Sequence, residues 1–509
     1  MWLVGIDGAT WDLASPLLAA GRLPHLERLV REGAHGPLLS EEPMVSPALW
    51  TTIATGVPRF AHGITDFTVK LPSSYNVAGS GPPDRRWPAL WELVGAAGGS
   101  SAVVSWCGSF PAEEIPGCYL SEALDLEQPD PRRVHPPSLV ERLQGLELGA
   151  DEDASRRIGR SDYLSRTLRR DLVTMALVRL TARQCPADLV AVYLSGIDVV
   201  QHVTWRHMDP ASQQFPQDGA PDPQLAEVIP DYYRAVDRMV GEMVDLAPPG
   251  TTFVIVSDHG AGPIQPAEAF HLRLEVLLEA MGLVNGSAGP LFTIDQLYRH
   301  DKLVWLNLEG VEPNGVVPLA RAEAEAAAAA GRLRRLMTDD GRPLFALVAE
   351  HVTEPGWQPG DPALTVRFAI HTLLTAQVHE PDRSYDFARV RVRHSDVSGA
   401  HRPEGMVILH GPGIRPGRLT RPANLYQMAP TVLYLLGLPQ DARMLRLAPP
   451  GGGVLEEAVD PELLAARPPR MLAEYPGTDR SLNTRDAGAQ RAPIAEEELD
   501  RLRALGYVR

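Results

Sequence analysis

The feature that most constrains this chain is a set of short apolar runs, several of which carry aspartate or histidine at their carboxyl ends. Residues 2–6 (Trp-Leu-Val-Gly-Ile), 101–106, 188–194, 252–257 and 405–409 are too short for core helices and suit buried strands. Helical periodicity fills the spaces between them. Over 24–32, Pro24 opens the pattern, Leu26, Leu29 and Val30 share one face, and Gly33 closes it. Near 230–246, Val236, Met239, Val240, Met243 and Val244 recur at helical spacing. Strands alternating with helices imply a largely parallel sheet covered on both faces. The expected fold is α/β, a three-layer α/β/α sandwich.

Residues 262–395 break this rhythm. They hold an Ala-rich helix over 320–332, Gly and Pro turns, and scattered strand patterns. They read as a cap inserted into a core made of 1–261 and 396–448. Residues 207–223 are rich in Pro, Gln and Asp and read as a surface loop. Residues 449–509 form a C-terminal extension, Pro- and Gly-rich at first and ending in a short helix over 495–505.

In open α/β sheets, sites assemble at the carboxyl ends of strands. Asp7 follows the first run, Asp198 and His202 follow the third, and Asp258 and His259 follow the fourth. Each has an ordinary explanation. Asp198 can be a helix N-cap with His202 unrelated, and Asp258-His259-Gly260 can be a turn. On a helix, however, residues at i and i+4 share a face, so Asp198 and His202 can grip one ion. Three strands each delivering such a group favour metal ligands. Ser46 precedes Pro47 at the start of an expected helix. Its ordinary role there is N-capping. A helix N-terminus also presents N–H groups to a phosphoryl oxygen.

Taken in order, five motifs acquire a joint meaning. They are Asp7-Gly8, Ser46 through Thr55-Gly56-Val57-Pro58 to His62-Gly63-Ile64, Asp198-x-x-x-His202, Ser257-Asp258-His259-Gly260, and Gly399-Ala400-His401-Arg402-Pro403. Together they resemble the alkaline phosphatase superfamily in its type I phosphodiesterase and nucleotide pyrophosphatase branch. The resemblance covers about 1–260 and 396–440. It implies a two-metal site with Ser46 as nucleophile. Asp198, His202 and His401 would hold one ion. Asp7, Asp258, His259 and the Ser46 oxygen would hold the other. Zinc suits these ligands, with manganese or iron as alternatives. The implied reaction is attack of Ser46 on a phosphate ester, a phosphoseryl intermediate, and its hydrolysis. Two departures stand out. Relatives typically carry Thr where this chain has Ser46, and Asn where it has Phe67.

Other superfamily readings differ in testable ways. A phosphomonoesterase or phosphonate hydrolase would keep the same ligands. A phosphoglycerate-mutase-like isomerase places its last metal histidine soon after Asp-His. Here His401 and His259 are separated by an insertion. A sulfatase needs Cys/Ser-x-Pro-x-Arg, and Ser46-Pro47-Ala48-Leu49-Trp50 lacks it. His62 reads as structural. His410 is a weaker candidate for lining the site.

Composition excludes some partners. The net charge of −16 argues against a broad nucleic-acid-binding face. It does not oppose an anionic substrate once metal ions reverse the local field. The expected partner is a small phosphate ester. No apolar run approaches the roughly 20 residues of a membrane span. Cysteines number three without a Cys-x-x-Cys pair, which suits a reducing compartment and excludes a thiolate zinc site. The expected location is cytoplasmic.

Overall fold

A computed structural model describes residues 1–478 and 480, apart from 72–73, 76, 150, 210–219, 266–269, 285–288, 294–300, 355–356, 370–374 and 394–396. The expected helix over 495–505 and most of the loop over 207–223 lie outside the described residues.

A ten-stranded sheet organises the chain. Its central strand, Trp2–Ile6, is wholly buried and pairs in parallel with Leu189–Leu194 and Phe253–Val256. Ser101–Val104 and Gly117–Leu120 extend it in parallel on one side. On the other side Glu404–His410 runs antiparallel, between Phe253–Val256 and Ala34–Leu39. The sheet is thus mostly parallel, in the layered α/β architecture expected from the sequence.

Strand periodicity explains the two covering layers. Trp2, Val4 and Ile6 face one hydrophobic cluster, and Leu3 faces the other. Helices Pro24–Glu32, Asp162–Gln184, Gly196–Met208 and Val228–Leu246 pack on the first face. Ser46–Thr55, Leu90–Ala96 and Met428–Leu435 pack on the second. Each fully buried Leu, Ile or Val here contributes roughly 1.5–3 kcal/mol. Ala34–Leu39 has no strand-like sequence, because Gly36 and Pro37 interrupt it. It is a strand because it completes the pairing of Glu404–His410.

The inserted region builds a hydrophobic cluster of its own, including Leu277, Val304, Ala326, Leu333, Val366 and Phe387. A four-stranded sheet forms there from Leu291–Phe292, Asp301–Leu306, Leu364–Phe368 and Phe345–Glu350, beside helix Ala322–Arg334. At its root Gly260–Pro263 pairs with Gly399–Arg402, placing Ala261 opposite His401. Ion pairs bind the insertion to the core: Lys70 with Glu312 at 2.9 Å, Arg86 with Asp361 at 2.6 Å, and Arg367 with Glu42.

Cys118 and Cys185 form a disulfide, and Cys107 is buried and not disulfide-bonded. The bond joins strand Gly117–Leu120 to the residue capping helix Asp162–Gln184. The cysteine spacing alone carried no signal for this pairing. Among the described residues no helix is long and apolar enough to cross a membrane.

Candidate active site

Parallel strands deliver their carboxyl ends to one edge of the sheet. Asp7 follows the first strand directly, and Asp258 and His259 follow Phe253–Val256. Helix Gly196–Met208 begins two residues after Leu189–Leu194, with Asp198 and His202 one turn apart. His401 arrives from the ribbon at the root of the insertion. These side chains converge from distant parts of the sequence. His202 Nε2 lies 3.2 Å from Asp198 Oδ1 and 2.9 Å from His401 Nε2. His401 Nε2 lies 3.5 Å from Asp198 Oδ1. His259 Nε2 is 3.3 Å from Asp7 Oδ1 and 3.6 Å from Asp258 Oδ2. The His259 and His401 rings stack at 3.7 Å.

Two overlapping groups emerge, Asp198 with His202 and His401, and Asp7 with Asp198 and His259. Asp198 belongs to both. Asp258 flanks the second group through His259.

The hydrogen bonds behind the cluster orient it. The Nδ1 atoms of His202, His259 and His401 lie 2.9 Å from the carbonyls of Gly399, Gly260 and Met44 respectively. A carbonyl only accepts, so each Nδ1 carries the proton and each Nε2 turns its lone pair inward. This backing is typical of metal-bound imidazole. Oδ1 of Asp7, Oδ1 of Asp198, both Asp258 oxygens and Nε2 of His259 are buried with no hydrogen-bond partner. Buried acceptors without donors are costly. Divalent cations would satisfy them together, so the donor set fits metal.

Burial dominates the electrostatics. It lifts Asp258 well above the usual carboxylate range, aided by Asp7. It raises Asp7, aided by Asp198, and lowers His259 to about 4, aided by His401. Burial opposes ionisation of Asp198 too, but positive charge beside it, at His202 and His401, holds that carboxyl well below its ordinary value, a role a bound cation would take over. Three buried carboxylates cannot all ionise side by side without compensating positive charge.

Ser46 is the first residue of helix Ser46–Thr55, and Val45 is the N-cap with no side-chain capping bond. The ordinary capping role is therefore not the one it plays. Asp198 is likewise not an N-cap, because Ser195 holds that position. The Ser46 segment is fixed to the cluster through Met44, whose carbonyl accepts from His401. One turn into the helix, Trp50 packs edge-on against Tyr193 at 5.0 Å. His62 is structural: its Nδ1 accepts from Ile64 N–H and its Nε2 donates to Thr52, tying the turn to this helix. His410 pairs with Phe253 at the amino edge of the sheet, away from the site. His394 lies outside the described residues. Phe67, at the position of the relatives' Asn, is half-buried beside buried Asp66.

Three supporting residues escaped the sequence reading. Tyr193 donates its hydroxyl to Asp7 Oδ2. Asp171 accepts from the backbone N–H groups of Ser195 and Gly196, both at 3.1 Å, and so caps the Asp198 helix from another helix. Gln201 donates to the Gly8 carbonyl at 2.8 Å, locking that helix to the turn after Asp7. The available signals were a lone Asp on an apolar helix face and a Tyr near the end of an aliphatic strand.

Between core and insertion, a cleft of about 130 Å³ is lined by Val45, Arg59, Phe60, Asp66, His351 and Arg367, among others. Val45 immediately precedes Ser46, so the insertion faces the start of the Ser46 helix.

Among solved structures, phosphonoacetate hydrolase from Sinorhizobium meliloti shares 17% identity, with 86% of this chain and 94% of that chain covered and a TM-score of 0.51. Murine ectonucleotide pyrophosphatase / phosphodiesterase 5 shares 14% identity over 90% of this chain and all of that chain, with a TM-score of 0.47. No curated protein matches the sequence. The profile of the type I phosphodiesterase / nucleotide pyrophosphatase family matches residues 1–361. The chain belongs to the type I phosphodiesterase / nucleotide pyrophosphatase family and is a hydrolase acting on ester bonds.

Proposed function

We propose that the protein hydrolyses a small phosphate ester, of phosphodiester or nucleotide pyrophosphate type, through Ser46 beside two divalent ions, zinc by preference. The observation that carries this reading is the anchoring of three imidazoles by backbone carbonyls, each turning Nε2 toward buried carboxylate oxygens that lack donors. Asp198, His202 and His401 would hold one ion. Asp7, Asp258, His259 and the Ser46 hydroxyl would hold the other. Ions bound there supply Lewis acidity, which lowers the pKa of a ligated hydroxyl and neutralises phosphoryl oxygens.

The chain's own residues supply the rest. In the first turn of helix Ser46–Thr55, Pro47 has no N–H and Ala48 N–H donates to the Val45 carbonyl at 2.9 Å, which leaves the Ser46 N–H for a phosphoryl oxygen. Ser46 Oγ gives up its proton and bonds to phosphorus as the ester P–O bond breaks, and the departing ester oxygen takes up a proton from water. Water then cleaves the phosphoserine and releases the acid product. Tyr193 fixes one carboxylate of the cluster, and Asp171 and Gln201 fix the helix that presents another. The cleft against the insertion would receive the group esterified to phosphorus. Its Phe60, Leu303 and Leu347 form an apolar wall, and Arg59, Asp66 and Arg367 form a polar one.

Zinc-loaded protein should turn over nitrophenyl phosphate, its diester or a nucleotide sugar. Chelation should abolish turnover and leave circular dichroism nearly unchanged, because two large apolar clusters hold the fold without metal. Full turnover from protein shown by elemental analysis to be free of metal would overturn the reading.

A further inference from the structure

A second cavity, of about 360 Å³, opens on the same sheet edge, one strand away from the metal cluster. It lies beyond the carboxyl ends of Ser101–Val104, Gly117–Leu120 and Leu189–Leu194, with helix Asp162–Gln184 as a wall. Carboxyl ends of parallel strands are where α/β folds place ligands, and the volume falls within the roughly 300–1,000 Å³ of small-molecule sites. Two non-glycine residues have left-handed backbone among the described residues, Ser105 (φ 54°) and Ala123 (φ 51°). Both line this cavity. Backbone strain of that kind gathers at ligand sites.

The lining carries both basic and acidic side chains. Arg166 and Arg169, three residues apart, share one face of their helix. Arg169 makes a loose 3.6 Å pair with Glu127, both well exposed, and Arg166 has no ion pair among the described residues. Glu122 and Asp125 also line the cavity. Each is oriented by a backbone donor, Gly108 N–H at 3.0 Å and Glu127 N–H at 2.8 Å. Between them, buried Thr174 donates to buried Ser105 at 2.9 Å. Tyr193 also lines the cavity while its hydroxyl donates to Asp7, so this side chain stands between the cavity and the metal cluster.

We propose that this cavity is a second ligand site, separate from the phosphoryl centre, for a hydroxylated organic phosphate of the sugar-phosphate class. The two guanidinium groups suit a phosphate, which they bind through charge-assisted hydrogen bonds. The carboxylates of Glu122 and Asp125 suit sugar hydroxyls, which donate to them. A bare phosphate ion would meet only half of the lining. The proposal does not rest on the hydrolase reading, and its test reads binding rather than turnover.

The test is calorimetric titration of the metal-loaded protein with ribose 5-phosphate, inorganic phosphate and ribose. Ribose 5-phosphate should bind more tightly than either fragment. The double variant Arg166→Glu with Arg169→Glu should weaken it about tenfold or more. Arg31→Glu with Arg321→Glu, an equal charge change at exposed positions elsewhere, should leave it unchanged. Asp258→Asn, which removes a proposed metal ligand, should also retain it. Glu122→Gln with Asp125→Asn should weaken ribose 5-phosphate but not inorganic phosphate. The proposal is overturned if Asp258→Asn loses binding while the cavity variants keep it. Equal losses in the distant arginine variant, inorganic phosphate binding as tightly as ribose 5-phosphate in Asp258→Asn, or no binding at millimolar ligand would also overturn it.

Discussion

Gly5→Ala should disturb the position of Ser46 although the two residues belong to different elements. A β-carbon built on Gly5 lies 2.5 Å from Trp50 Cζ3 and 2.7 Å from Cη2. Ordinary carbon contacts are about 3.5–4.0 Å, so the indole must retreat by roughly 1 Å. It has nowhere to turn. Trp50 is fully buried, with Trp106 edge-on at 5.3 Å and Tyr193 at 5.0 Å. The helix that carries both Trp50 and Ser46 must give way instead. Overpacking of this kind costs about 1–3 kcal/mol, and the melting temperature should fall by a few degrees. Displacing a reacting group by about 1 Å costs on the order of 100-fold in rate. The assay is turnover of a nitrophenyl ester, with metal content and thermal melting measured on the same sample. Adding Trp50→Phe removes the crowding atoms and should restore at least tenfold of the lost rate, on the order of half the loss on a logarithmic scale. Gly5→Ala with wild-type melting and turnover would refute the packing argument.

Two further outcomes test the frame around the site. Burial opposes ionisation of Glu113, but Arg85 and Arg480 hold its pKa at about 2, against an ordinary 4.5. The folded value is the lower one, so this stabilisation is complete above about pH 4.5 and is lost as pH falls toward about 2. It is worth about 3 kcal/mol. Glu113→Gln should lose that stability at pH 7 and flatten the acid side of the stability profile; an unchanged profile would contradict the ion network. The disulfide forecasts that alkylation in denaturant labels Cys107 alone before reduction and Cys118 and Cys185 only after it. Mass spectrometry showing all cysteines labelled without reductant would contradict it and favour a reducing compartment.

The side chains that converge at the sheet edge were legible because strand ends obey a local rule. An apolar run that stops at Asp or Asp-His marks the sheet edge where groups converge. What the sequence did not reveal depends on contacts made only in three dimensions. Asp171 caps a helix in a different part of the chain. Tyr193 looks like any strand aromatic until its hydroxyl meets Asp7. The role of Gly5 appears only when Trp50 is seen against it. Ala34–Leu39 is a strand through pairing alone, since Gly36 and Pro37 suppress the pattern. Ser46 was placed one residue too early, before the helix rather than in it, and that residue separates a capping side chain from one left available for chemistry.

Ser46→Ala tests the central claim most directly. With Asp7, Asp198, His202, Asp258, His259 and His401 intact, the variant should keep both metals. It should lose turnover by several orders of magnitude, on the order of 10³-fold or more, because a nucleophile and its activating groups act as a unit. Stability should barely change, since Val45 occupies the N-cap and no side-chain cap is lost. Ser46→Thr, which keeps the hydroxyl, should retain measurable activity. An alanine variant with its full metal content and about a tenth of wild-type turnover would contradict the assignment of Ser46 as nucleophile, since catalytic units of this kind lose far more.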